Sequence, residues 1–221
     1  MAFLHHKSER IIMKEFDVEN WNRNAQYQFF KTYEDPFFNI TANLDITNLY
    51  KYCKQNDFSF SLACLYISLK CANEITEFKL RLKNDKVYVF ETVNIGSTVL
   101  NDDFTFSFCE FEFQKTMAEF DAKGKIVLEN HKNGIVFNAQ EDQLGIIHCS
   151  TIPWVSFTGF KHARKGDEGL QGIPKLVFGK IFTENEVKKI PFSVEVHHAL
   201  MDGYHVGLLY DKMQKFIDEL V

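Results

Sequence analysis

Helix and strand periods both run through this chain, and one of its helices has the pattern of a helix laid on a sheet. Three observations carry that reading. Leu62, Leu65, Tyr66, Leu69 and Ala72 recur at three- and four-residue spacing, the apolar stripe of a helix against a flat surface. Lys86 to Phe90, and then Phe104, Phe106 and Phe108, alternate with the period of two that strands show. Near the C-terminus an alternating segment, Ile190 to His198, passes through Asp202-Gly203 into a stripe of Val206, Leu209, Met213, Phe216, Ile217 and Leu220. Tyr204 to Val221 is therefore expected to form an amphipathic helix with Asp202 placed to cap it.

The remaining elements follow in order. Residues 1–13 carry little pattern and are expected to form an extension, with one domain over 14–221 whose folded part begins near Phe16. Asp45 and the turn Ile46-Thr47-Asn48-Leu49-Tyr50 start a short helix that fades at Gln55-Asn56-Asp57. Ser59 or Ser61 caps the next helix. Phe111 and Phe113 resume the alternation after Cys109, a change of step that marks a bulge or a turn into a helix expected from Gln114 to Phe120. Gly145 to Phe157 reads as a buried strand interrupted at Pro153, and the polar, Gly-rich stretch from His162 to Gly172 reads as a loop.

Composition narrows the function classes. A chain of 221 residues with 45% hydrophobic and 25% charged residues is ordinary for a soluble domain with a substantial core. Its 23 Phe suit sheets and aromatic-lined pockets, with plain core filling the commoner role at any one position. A formal net charge of −5 argues against a nucleic-acid surface. No apolar run reaches the roughly 18–20 residues that span a membrane, and the N-terminus lacks a signal-peptide core. Five cysteines without a CxxC pair suggest neither a disulfide framework nor a zinc ribbon, so the protein is expected in the cytoplasm.

The chemistry concentrates in His197-His198-Ala199-Leu200-Met201-Asp202-Gly203. Phe192, Val194, Val196 and His198 share one strand face and Ser193, Glu195 and His197 the other, so the adjacent histidines point in opposite directions. Taken alone, a histidine on an apolar strand face is more often structural than catalytic. The Asp four residues on can fix the loop through a buried ion pair, so that the histidine is held without being charged, and the following Gly relaxes the turn. A zinc site from His197, His198 and His205 is rejected, because neighbouring strand residues face apart and no further ligand lies at a compact spacing.

HHxxxDG resembles the active-site motif of the chloramphenicol acetyltransferases, the dihydrolipoamide acyltransferase cores and the peptide-synthetase condensation domains. Val196 to Val206 is similar almost residue for residue to the first of these. Further likeness lies in Phe16 to Arg23, Leu44-Asp45-Ile46-Thr47 and Ser150 to Phe157. The resemblance covers about residues 13–220. It implies an α+β fold, a two-layer sandwich whose large mixed β-sheet is covered by helices, of the CoA-dependent acyltransferase type. It also implies a homotrimer with active sites at subunit interfaces.

Carried over by position, His198 is the general base that takes the acceptor hydroxyl's proton, and Ser150 donates to the oxyanion. Asp202 pairs with Arg23 as structural support. Lys180 stands at a family lysine near the CoA nucleotide, although a solvated lysine fits as well. The implied reaction is acetyl-CoA-dependent O-acetylation of chloramphenicol or a related hydroxyl compound, with antibiotic inactivation as the role. The acceptor pocket is expected among Phe30, Phe38, Phe160, His162, Arg164 and Val177. Three of these depart from the family: His162 replaces a leucine, Arg164 a valine and Val177 a threonine. The alternatives are a non-catalytic ligand-binding homologue and a dihydrolipoamide-type core.

Overall fold

A computed structural model describes residues 12–132, 143–164 and 171–220. Most of the expected extension, and 165–170 of the expected loop, lie outside the described residues.

Among the described residues the strands form two sheets. A small antiparallel sheet joins β1 (Met13–Glu15), β3 (Leu80–Lys83) and β4 (Lys86–Phe90) in the order β1-β4-β3. The large sheet runs β2 (Phe37–Asp45), β10 (Val187–His197), β8 (Lys175–Phe178), β7 (Ile146–Thr151), β5 (Asn94–Leu100) and β6 (Phe106–Phe111), with β9 (Phe182–Glu184) paired to β10. The β5-β7 and β7-β8 pairs are parallel and the others antiparallel, so this sheet is mixed, in keeping with the expected α+β fold.

The helices are α1 (Asn24–Phe30), α2 (Thr47–Asn56), α3 (Phe60–Asn73), α4 (Met117–Lys132) and α5 (Gly203–Asp218). At the start of α2, Asp45 Oδ1 accepts from the Thr47 N–H at 2.9 Å, while Ile46 holds the cap position. Ser59, not Ser61, caps α3, accepting from the Leu62 N–H. The stripe on α3 is not one-sided: Cys64, Ile67 and Ser68 are buried along with the striped residues, because the helix packs against α4 and α5 as well as the sheet. Ser68 is accommodated by donating its hydroxyl to the Cys64 and Leu65 carbonyls.

Two expectations in the middle of the chain change. The helix expected from Gln114 starts at Met117, where Thr116 and Glu119 form a reciprocal box. The step between Phe108 and Phe111 is neither a bulge nor a turn. Pairing with β5 is unbroken from Leu100–Phe106 to Ile95–Phe111, and what changes is the face the Phe residues occupy. Phe106 and Phe108 face outward, whereas Cys109 and Phe111 face the core. The expected strand from Gly145 to Phe157 is shorter, ending at Thr151.

The central strand β10 is flanked on both edges and buried from Ile190 to His197. Phe192, Val194 and Val196 join the main core with Leu176, Cys149 and Ile147, so this sheet face meets the helices. Arg81 is fully buried and donates to the carbonyls of Phe78, Leu80, Leu144 and Ile146 at 2.7–2.9 Å, tying β3 to the start of β7. With no carboxylate to offset its burial, the guanidinium is pulled down to about 9.

Candidate active site

Beyond the end of β10 the chain leaves the sheet, and the His198 N–H donates to the Pro36 carbonyl at 2.7 Å. The His198 ring turns to the face of Val196, as strand alternation requires. It lies flat on Phe30, with centroids 3.8 Å apart and planes 6° off parallel, and meets Phe38 at 4.6 Å. Its Nδ1 is 3.3 Å from Asp202 Oδ1, and the side chain is 32% exposed. Because the carboxylate faces Nδ1, Nε2 is the nitrogen left to exchange a proton.

Arg23 organises the turn. Its Nε donates to Asp202 Oδ2 at 2.8 Å and its Nη2 to Oδ1 at 2.5 Å, a bidentate fork. The remaining guanidinium donors reach the carbonyls of His198 and Ala199, both at 3.2 Å. Burial raises the Asp202 carboxyl, but the hydrogen bond and charge of Arg23, aided by His198 and His205, outweigh it and hold it below its ordinary value.

His197 points the other way, is buried, and accepts from the Ala199 N–H at Nδ1. One turn argument needs correction. Gly203 does not have a left-handed backbone, and an added Cβ would make only an ordinary contact with Ile40 at 3.8 Å. Among the described residues the glycine with a left-handed backbone is Gly172, with φ +67° and an added Cβ only 2.5 Å from Leu200.

Ser150 sits elsewhere. On β7 it pairs with Val177, which pairs with Ser193 on β10, so these residues share the sheet face turned away from the helices. From Ser193 to His198 is five residues. With two strand spacings across, Ser150 and His198 of one chain are roughly 19 Å apart, far beyond the reach of one reacting carbonyl.

Around Ser150 the face continues through Thr98, whose Oγ1 is 3.4 Å from Ser150 Oγ, to Phe108 across the β5–β6 pair. Leu100 and Phe106 extend it as exposed apolar surface at 51% and 47%. Sequence reasoning read the Phe alternation as a strand but missed this face, although Phe side chains switching faces in one strand was the available signal.

The expected acceptor residues fall into two groups. Phe30 and Phe38 touch His198, while Phe160, His162, Arg164 and Val177 belong to the Ser150 side of the sheet. There Glu195, 1% exposed, faces His162 Nδ1 at 3.5 Å and Arg164 Nη2 at 3.0 Å. Arg164 also pairs with Asp35, and its guanidinium lies over the Phe37 ring at 3.9 Å. Burial raises the Glu195 carboxyl, and the close approach of the His162 ring with the charge of Arg164 more than reverses this. Phe160 packs edge-on to His162, and Val177 is fully buried. Lys180 is exposed, its backbone bonded to Val155.

Other chemistries find less support. The five thiols are all buried, and burial pushes Cys71 up to about 12, which suits no nucleophile. Among the described residues no group of His, Cys, Asp and Glu could hold a metal ion, and no helix is long and apolar enough to cross a membrane.

The family model for chloramphenicol acetyltransferase matches residues 11–214. The chain belongs to the chloramphenicol acetyltransferase family. Membership makes it an acyltransferase by class. The chain is similar to the chloramphenicol acetyltransferase of Proteus mirabilis, 27% identical over 96% of this chain and 98% of that one. A solved chloramphenicol acetyltransferase superposes with TM-score 0.86 at 25% identity, covering 93% of this chain and all of the other. The Azotobacter vinelandii dihydrolipoamide acetyltransferase shares the fold, with TM-score 0.66 at 14% identity over 89% and 86%.

Proposed function

We propose that this chloramphenicol acetyltransferase family member transfers acetyl from acetyl-CoA to an acceptor hydroxyl, chloramphenicol or a related compound, with His198 as general base. The observation that carries the reading is an imidazole with Nδ1 set against a carboxylate, that carboxylate forked by Arg23, and Nε2 left for the substrate. His198 takes the hydroxyl proton as the oxygen attacks the thioester carbon. The tetrahedral oxyanion accepts a hydrogen bond from Ser150, the C–S bond breaks, and the imidazolium returns its proton to the leaving thiolate. Lys180 would meet the CoA nucleotide.

The distance between His198 and Ser150 within one chain supports a site shared by two copies, with Ser150 of the partner subunit facing His198. A closed ring of three makes three such sites. We place the enzyme in the cytoplasm, where acetyl-CoA and reduced thiols occur together, and assign it antibiotic inactivation.

Mixing His198→Ala with Ser150→Ala protein through dissociation and reassembly tests both ideas. Shared sites restore CoA thiol release to about a quarter of wild type, since one site in four then draws an intact group from each copy. No restoration rejects the shared site, and no thiol release by wild type with any alcohol rejects the reaction. A ligand-binding homologue would show no His198-dependent turnover.

A further inference from the structure

The turn that carries His198 is followed by a second histidine that the reaction does not use. His205 stands at the third position of α5, 8% exposed. The backbone N–H of Asp202 donates to its Nδ1 at 3.0 Å. A backbone amide only donates, so Nδ1 carries no proton and the ring hydrogen sits on Nε2. That nitrogen is 3.5 Å from Glu77 Oε1, in the short 3-10 turn Thr76–Lys79. Burial raises the Glu77 carboxyl, but hydrogen bonding, above all with His205, and the charge of Arg23 hold it below its ordinary value.

Glu77 therefore faces the protonated nitrogen of His205, and His205 holds the amide of the residue whose carboxylate faces His198 and takes the Arg23 fork. The charged groups facing this pair are Arg23, from the segment before α1, and the Asp202 carboxylate; the Tyr204 ring lies 5.4 Å from the imidazole. We propose that His205, anchored by Glu77, is a positioning residue for the base: it fixes the Asp202 backbone so that one carboxylate meets Arg23 and His198 at once. The inference rests on His198 acting as the base.

Misplacing a catalytic group by about 1 Å costs on the order of 10²-fold in rate. His205→Ala is accordingly expected to lower kcat about 10- to 100-fold, with KM for acetyl-CoA within about twofold. His205→Asn keeps an oxygen that accepts from the Asp202 amide and is expected to recover most of the loss, while Glu77→Gln costs less than His205→Ala. Rates are taken well below each variant's unfolding midpoint, where a purely stabilising role leaves kcat unchanged. Equal kcat for His205→Ala and wild type, or no difference between the Ala and Asn variants, overturns the proposal.

A second measurement does not depend on turnover. The ¹⁵N resonances of the His198 ring, read on histidine-labelled protein, are expected to move in His205→Ala and to stay near wild type in His205→Asn. If they do not move in His205→Ala, the positioning role is wrong. If His205→Ala does not fold, Glu77→Gln carries the same test, with unmoved His198 resonances again the refuting result. A wild type without His198-dependent turnover rejects the acyltransfer reading alone, and the resonances still decide the role of His205.

Discussion

At the C-terminal turn the imidazole, its carboxylate and the histidine that holds that carboxylate's backbone are neighbours in sequence, and the polar side chains that come from afar are those of Arg23 and Glu77. Around Ser150 the arrangement is the reverse: the hydroxyl, Thr98 and Phe108 stand on three different strands, and the face they share is apolar and open. The turn is completed by hydrogen bonds within the chain, whereas Leu100 and Phe106 on the strand face are 51% and 47% exposed. A base must be held against its partners before substrate arrives. An oxyanion donor and an acceptor wall need only be presented.

The largest expected effect separates the two regions by activity alone. Ser150→Ala is expected to lower kcat about 10²- to 10³-fold with its unfolding midpoint unchanged, because the contact of its hydroxyl with Thr98 Oγ1 is long, at 3.4 Å, and adds little to the fold. A midpoint shifted as far as the activity would make Ser150 part of the scaffold and erase the contrast.

Arg23→Ala should lower both activity and stability, the latter by about 2–3 kcal/mol in denaturant unfolding, less than for a fully buried pair because the Asp202 side chain is 34% exposed. The pH dependence sharpens this. The folded-state value of Asp202 lies below its ordinary 3.8, so the pair's stabilisation is fully present above that value. It is lost as pH falls through the lower folded value, and Asp202→Asn should lack that acid-limb loss when midpoints are followed down from neutral pH.

The smallest effects concern the two glycines. Gly172→Ala should destabilise by about 1–3 kcal/mol, since its left-handed backbone is strained for any side chain and the new Cβ meets Leu200 at 2.5 Å. Gly203→Ala should change stability by no more than about 0.5 kcal/mol, although Gly203 lies inside the motif and Gly172 outside it. Reversed magnitudes in thermal unfolding would restore the turn argument that the backbone contradicts.

Much of the site was legible in the sequence where local periodicity decides geometry. Alternation along β10 separated His198 from His197, since residues one apart on a strand cannot share a face. Asp202 at the head of an apolar stripe announced α5. The likeness to a known family tied Asp202 to Arg23, which no local pattern relates across the length of the chain. Illegible was the burial of α3 on both faces, because a helix covered by other helices needs no polar side. The Glu195 cluster with His162 and Arg164 was equally hidden, since charge pairing across distant segments leaves no periodic trace.

By itself, then, the sequence determined the type of the strongly periodic elements, the direction of each histidine of the pair and, through resemblance, the mixed α and β class and the acyltransferase motif. Tertiary structure alone decided that Ser150 and His198 occupy opposite sides of one sheet, that Gly172 is the glycine the turn region needs, and that His205 reaches back to Glu77. The physical reason is range. Side-chain direction repeats every two or 3.6 residues and is written locally, whereas strand order and register bring together segments whose spacing along the chain carries no information about their distance in space.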